Sequence, residues 1–304
     1  MFILLKGEPA LTLYAEQAPI VSRLEGGKDQ LLSLGIKTSA KSILVANVTS
    51  EEKPRIIFRK NSEEILPIAS LTKLMTLLVL LDQGINMDSL ITIMKEDGMF
   101  EEKEAQRLKV MPGDKVKAYD LFVASLIFSA NNAIKALVRS SGIPPDDFIA
   151  LMNKKAAKLG MSQAFFSDLT GLSLNNVATA SDLLLLAKQA FSQPEISKAG
   201  SYARYTFLIS RSASEDSVPI TIYNTDELLP SFLNKSEQGY RIINSKTGHL
   251  FEAGYHLIMK LENKGKALMI ILLGSESSSA RFQEAKGLAW WALGQELRGS
   301  LLAF

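Results

Sequence analysis

Apolar positions along this chain change period three times. Ser42 to Val48 and Arg55 to Arg59 are short runs rich in Ile and Val. The polar Ser50-Glu51-Glu52-Lys53-Pro54 between them predicts a β-hairpin. Helical spacing then takes over. A helix is predicted from about Ser70 to Leu81, stopping at Asp82-Gln83-Gly84. Two more, Asp120 to Phe128 and Asn132 to Arg139, are separated by Ser129-Ala130-Asn131. Asp146 to Leu159 ends at Gly160, a C-cap, and Thr179-Ala180-Ser181-Asp182 has the capping-box form that opens a helix over 183–191. The tail returns to strands at Tyr205 to Ile209, Val218 to Tyr223, Gly254 to Leu261 and Ala267 to Leu273, with Asn263-Lys264-Gly265 as the last hairpin turn. A closing helix spans about Ala280 to Leu297 and carries Trp290 and Trp291.

Early and late strands bracketing a helical middle predict an α+β fold in which strands distant in sequence share one sheet. The expected organisation is a leader or tether over 1–38 and a domain over 39–304. Within the domain, a sheet lobe takes about 39–69 and 204–304, and a helical lobe about 70–203.

Composition narrows the function classes. The chain has 304 residues, 47% hydrophobic and 22% charged, which is globular usage. Its formal charge of +2 supplies no footprint for nucleic acid, and none is expected as a partner. With no cysteine and only His249 and His256, thiol chemistry is excluded and no metal or other cofactor is expected. Ile65 to Leu81 is the most apolar stretch, but at 17 residues with Pro67 and Lys73 inside it falls short of the roughly 20 a spanning helix needs. Met1 to Leu5 is too short for the apolar region of a signal peptide, roughly 7–15 residues.

Three motifs carry candidate chemistry. In Ser70-Leu71-Thr72-Lys73, positions i and i+3 share a helical face, so the hydroxyl and the amine are neighbours. Ile68, Leu71, Leu74 and Met75 surround Lys73, and desolvation there disfavours its charged form. A serine beside a neutralised lysine is an activated nucleophile that needs no histidine. The same four residues also read as a helix cap with a snorkelling lysine. Ser50-Glu51-Glu52-Lys53 repeats the spacing on a solvated turn. Ser129-Ala130-Asn131 aims a hydroxyl and an amide from a bend, or is an ordinary inter-helix turn. Lys246-Thr247-Gly248 follows the strand pattern Arg241-Ile242-Ile243-Asn244, and offers a cation, a hydroxyl and room for a carboxylate substrate, or is a strand end with a turn glycine. Together they stand in one order, 59 and 117 residues apart (70 to 129, 129 to 246), each in the kind of element its task requires.

Ser-x-x-Lys, a Ser-x-Asn-type element and Lys-Thr-Gly form the set of penicillin-binding proteins and class A β-lactamases. Over roughly residues 40–292 the chain resembles the serine-type D-alanyl-D-alanine carboxypeptidases, the low-molecular-mass penicillin-binding proteins. The likeness rests on Ile68 to Thr76, Met111-Pro112-Gly113-Asp114, Asp168-Leu169-Thr170-Gly171-Leu172 with Thr179 to Leu183, and Ser245 to His249 with Ala253-Gly254. It implies an antiparallel sheet flanked by helices plus a helical lobe, the β-lactamase and penicillin-binding-protein fold. It also implies attack by Ser70 on the D-Ala-D-Ala bond of a peptidoglycan stem peptide, with Lys73 as base and Ser129 and Lys246 passing the proton to the leaving D-alanine. Asn131 would orient the substrate amide and Thr247 meet the terminal carboxylate beside Gly248, while the backbone N–H groups of Ser70 and His249 form the oxyanion hole. β-Lactams are the implied inhibitors and the cell envelope outside the cytoplasmic membrane the implied place of action, with a membrane tether possible upstream of the chain.

The departures are Ala130 and Asn132, where Ser-Gly-Asn-Asp-Ala is usual, and Leu250, where Thr follows Lys-Thr-Gly-His. The extra methyl of Ala130 is expected to narrow the cleft. No room is expected after the closing helix for the C-terminal β-domain of many relatives. The Glu-x-x-Leu-Asn string of class A β-lactamases does not occur between Asn131 and Lys246, so hydrolysis of β-lactams is expected to be slow. A class A-like β-lactamase, a D,D-endopeptidase and a non-catalytic peptidoglycan-binding homologue are the other readings.

Overall fold

The computed structural model describes residues 38–50, 54–100, 105–214, 216–230 and 240–301. The expected leader therefore lies outside the described residues, Thr38 excepted. In chain order the first half comprises β1 (Ser42–Asn47), β2 (Arg55–Lys60), β3 (Leu66–Pro67), α1 (Thr72–Asp82), β4 (Leu90–Thr92), β5 (Lys115–Lys117), α2 (Ala118–Ile127), α3 (Asn131–Ser140) and α4 (Pro145–Leu159). The second comprises β6 (Val177–Ala178), α5 (Ala180–Phe191), α6 (Pro194–Gly200), β7 (Arg204–Ser210), β8 (Ser217–Tyr223), β9 (Tyr240–Leu250), β10 (Gly254–Asn263), β11 (Lys266–Ser275) and α7 (Ser278–Leu301).

The main sheet has the order β2-β1-β11-β10-β9, antiparallel throughout. It joins the first strands of the chain to the last. Both faces are covered, so β11 is apolar without alternation. Met269, Ile271 and Leu273 face the helical middle, while Leu268, Ile270 and Leu272 face α7 through Phe282, Ala285, Leu288 and Trp291. At the β10–β11 turn Lys264 and Gly265 take φ of 46° and 77°, which a two-residue hairpin requires. β9 is the sheet's edge and runs through Lys246-Thr247-Gly248, farther than the pattern at 241–244 indicated.

One expectation about the lobes is corrected. β7 and β8 do not join the main sheet; they pair with β5 and β4 in a second sheet of order β4-β5-β7-β8. Thus 204–223 packs with the middle of the chain rather than with 240–301. The reason is visible in their burial: β7 and β8 are half exposed and bury Phe207, Ile209 and Ile222 against the helical core. Their partners, three residues each, are too short to carry a readable period.

α1 is buried from Thr72 through Leu80, polar side chains included, and is the centre of the helical part. A helix apolar on every side has no solvent face to give its lysine. Around it the expected caps appear. Gly160 takes φ 80° beyond α4. Thr179 Oγ1 accepts from the Asp182 N–H (3.0 Å), and the Asp182 carboxylate accepts from the Thr179 N–H (3.1 Å). Thr179→Ala is therefore expected to remove about 1 kcal/mol of stability, read as a melting temperature lower by about 2–4 °C.

Candidate active site

Ser70 lies in a single 3-10 turn, Ala69–Leu71, that precedes α1 rather than forming its first turn. Ala69 is held at φ +48°, a left-handed conformation costly for a residue with a Cβ. Two glycines make that conformation possible by allowing backbone contact. A side chain on Gly171 (φ +87°) would overlap the Ala69 carbonyl, and one on Gly248 would press on the Ile68 carbonyl at 3.1 Å and on Ala69 Cβ at 3.3 Å. The serine is thus clamped between the 168–173 loop and β9.

Lys73, fully buried, has two neighbours: Ser70 Oγ at 2.8 Å, and the Thr170 carbonyl, which accepts from Nζ at 2.7 Å. Burial lowers its pKa from 10.5 to about 7, against a smaller raising effect of Asp168. A neutral amine donating to Thr170 keeps its lone pair for the Ser70 proton. The carbonyl is held in place by Asp168, whose carboxylate accepts from the Thr170 N–H and hydroxyl, the Gly171 N–H and the Ser173 N–H. Thr76, one helical turn past Lys73, donates to the Leu169 carbonyl at 2.7 Å and ties the same loop to α1.

The second pair is built on the α2–α3 bend. Ser129 takes φ +61°, and Lys246 Nζ donates to its Oγ at 2.8 Å and to the Thr247 carbonyl at 2.9 Å. Burial holds the Lys246 pKa well below its ordinary value, and the charges of Lys73 and Arg281 act in the same direction. The two lysines therefore feel one another, which joins the Ser70–Lys73 and Ser129–Lys246 pairs into one site. Asn131 is buried, and its side-chain carbonyl has no hydrogen-bond partner among the described residues. Its neighbour Asn132 is committed elsewhere, accepting from the Leu108 N–H (2.9 Å) and donating to the Leu108 carbonyl (3.0 Å). Ala130 is fully buried in the helical core, so its methyl does not narrow the cleft as expected.

Thr247 is buried, with its hydroxyl 2.6 Å from that of Thr225. Gly248 meets the nucleophile turn. His249 has an exposed side chain stacked on Tyr255, ring centroids 4.0 Å apart. His256 is fully buried, accepts from the Gly274 N–H at Nδ1, and is held neutral by burial, with a pKa of about 3. Sequence reasoning passed over Thr225 and Arg281. Arg281 reaches from α7 to donate to the carbonyls of Gly248 (3.2 Å) and His256 (3.3 Å). A single arginine among the apolar positions of the closing helix was the available signal.

This constellation can now be set beside known proteins. A model of the D-alanyl-D-alanine carboxypeptidase family matches residues 31–277. The chain belongs to that family. Its relatives include the D-alanyl-D-alanine endopeptidase of Haemophilus influenzae, 32% identical over 244 residues (80% of this chain, 78% of that one). The enzyme of the same name from Pseudomonas aeruginosa is 28% identical over 255 residues (81% and 76%). Among solved structures, the DD-transpeptidase of Streptomyces K15 superposes with a TM-score of 0.78 at 25% identity, covering 85% of this chain and 98% of that one. Penicillin-binding protein D2 of Listeria monocytogenes, solved in a cefotaxime-bound form, gives 0.70 at 27% identity, covering 85% and 98%.

As a member of this carboxypeptidase family the chain is a serine peptidase acting on peptidoglycan, with the expected α+β penicillin-binding-protein fold. Its place of action is the cell wall, outside the cytoplasmic membrane. Among the described residues no helix is long and apolar enough to cross a membrane.

Gly171→Ala tests the clamp. Its Cβ has no space against the Ala69 carbonyl and its φ is left-handed, so Ser70 must shift. Turnover of a D-Ala-D-Ala peptide is expected to fall about 100-fold, the scale of an ångström of misplacement.

Proposed function

We propose that this chain is a D-Ala-D-Ala carboxypeptidase working through an acyl-enzyme on Ser70. The observation that carries the proposal is the contact of a buried Lys73, its pKa lowered to about 7, with Ser70 Oγ at 2.8 Å. Ser70 Oγ attacks the carbonyl carbon of the penultimate D-Ala while Lys73 takes its proton. The oxyanion is met by the backbone N–H groups of Ser70 and His249. Ser129, held by Lys246, gives its own proton to the leaving nitrogen and recovers one from Lys73, and D-alanine departs. Asn131, with an unpaired side-chain carbonyl, receives the substrate amide, and Thr247 the terminal carboxylate. Water then cleaves the ester and restores Ser70.

β-Lactams enter by the same attack. Deacylation of the β-lactam adduct is slow, because the Glu-x-x-Leu-Asn string with which class A β-lactamases activate the deacylating water does not occur between Asn131 and Lys246. The cefotaxime-bound Listeria relative supports β-lactam binding in this fold. A second reading, cleavage of D,D cross-links, is favoured by the relatives named D-alanyl-D-alanine endopeptidase.

Incubation with a stem pentapeptide and, separately, with a cross-linked muropeptide dimer decides between them. Release of D-alanine from the first is expected, and Ser70→Ala abolishes it. Conversion of the dimer alone would establish the endopeptidase instead. Penicillin is expected to leave a long-lived adduct on the peptide containing Ser70, seen by intact mass and mapping; rapid nitrocefin turnover would contradict this.

The pH dependence has a definite sign. Lys73 must be neutral to accept, so acylation rises by about tenfold per unit below the lysine pKa of about 7 and levels off above it. A flat rate between about pH 5 and 9 would remove Lys73 from the role of base.

A further inference from the structure

Thr225 follows β8 and stands 22 residues from Thr247 in sequence, yet their hydroxyl oxygens are 2.6 Å apart. Its backbone is tightly held. The Thr225 N–H donates to the Ile127 carbonyl at 2.9 Å, two residues before Ser129, and the Asn224 N–H donates to the Ala203 carbonyl at 2.9 Å. Asn224 Oδ1 accepts from the Asp226 N–H, and Asp226 Oδ1 from the Leu228 N–H. Leu228 and Leu229 then anchor the segment in the core under the sheet. Thr225 therefore joins the end of α2, which leads to Ser129, to the strand that carries Lys246 and Thr247. It remains half-buried rather than sealed in the core.

The proton count of the pair matters. Two hydroxyls carry two protons, and the bond between them uses one. One proton remains for an outside acceptor, and in a chain of hydroxyls each bond strengthens the next. The surroundings favour an anion: the guanidinium of Arg281 donates to the carbonyl of Gly248, immediately after Thr247. We infer that Thr225 is a positioning residue for the substrate's terminal carboxylate, donating to Thr247 Oγ so that the Thr247 proton points at the carboxylate. This rests on the acyl-enzyme reading above and adds a residue that none of the three motifs contains.

The test compares acylation of Ser70 by benzylpenicillin, which carries a free carboxylate, with acylation by its methyl ester, which does not. Thr225→Val keeps the shape and removes the hydroxyl; Thr225→Ser returns it. In Thr225→Val the ratio of acid to ester acylation rates is expected to fall about tenfold, the worth of one hydrogen bond to a charged group. Thr225→Ser is expected to restore it. Equal losses with both compounds would make Thr225 a loop anchor only and overturn the inference, as would an unchanged ratio. Should Thr225→Val fail to fold, Thr225→Ala is read by the same ratio. The wild type separates the two levels of argument. If it takes no penicilloyl group on Ser70, the acyl-enzyme reading itself falls; if it is acylated and the ratio does not move, only the role of Thr225 is lost.

Discussion

An amine with no access to water governs this molecule. Lys73 lies on a helix buried from Thr72 to Leu80, and its hydrogen-bond partners among the described residues are a serine hydroxyl and a backbone carbonyl. Holding an ammonium there is expensive, and Asp168 offsets only part of that cost, so the proton is given up close to neutral pH. Lys246, equally buried, repeats the arrangement with Ser129. The charge of Lys73 pushes the Lys246 pKa further down, in the same direction as its burial. In the acyl-enzyme mechanism proposed above, desolvation supplies the base that many hydrolases take from histidine.

That environment is assembled from remote pieces. The 168–173 loop supplies the Thr170 carbonyl, β9 supplies Lys246, and the α2–α3 bend supplies Ser129. Contact between these pieces is close enough that glycine is required at 171 and favoured at 248. Backbone strain collects at the same place, in the left-handed conformations of Ala69 and Ser129, each worth about 1–3 kcal/mol. It is supported by the packing of both cores around it. Asp168 shows how such support works without touching the serine: its carboxylate organises four donors of its own loop, and the loop then presents one carbonyl to Lys73.

The departures from the usual family motifs fall on support rather than on chemistry. Ala130 points its methyl into the helical core, and Asn132 uses both ends of its amide on Leu108. A neutral amide can accept from an N–H and donate to a carbonyl of the same residue, which a carboxylate cannot do. The segment before α3 is thereby pinned beside Asn131, whose N–H donates to the Gln106 carbonyl.

Local chemistry sufficed to read much of this from the residues in order. The helical periods, the capping box at Thr179, the C-cap at Gly160 and the turn at Lys264-Gly265 depend only on near neighbours, and each appears where expected. So does the pairing of Ser70 with Lys73, because i and i+3 meet on any helical turn. The spatial meeting of Ser129 with Lys246 was implied by motif order but created by the sheet, which brings β9 against the nucleophile turn. Three things were decided by tertiary structure alone. β7 and β8 joined a sheet whose other two strands, β4 and β5, have three residues each, too brief to carry a period. The acceptor for Lys73 is a backbone carbonyl, a group every residue has and no sequence pattern marks. Thr225 and Arg281 owe their positions to contacts across 22 and 33 residues, and a threonine or an arginine looks the same in sequence whether it faces solvent or the strand that carries Lys246 and Thr247.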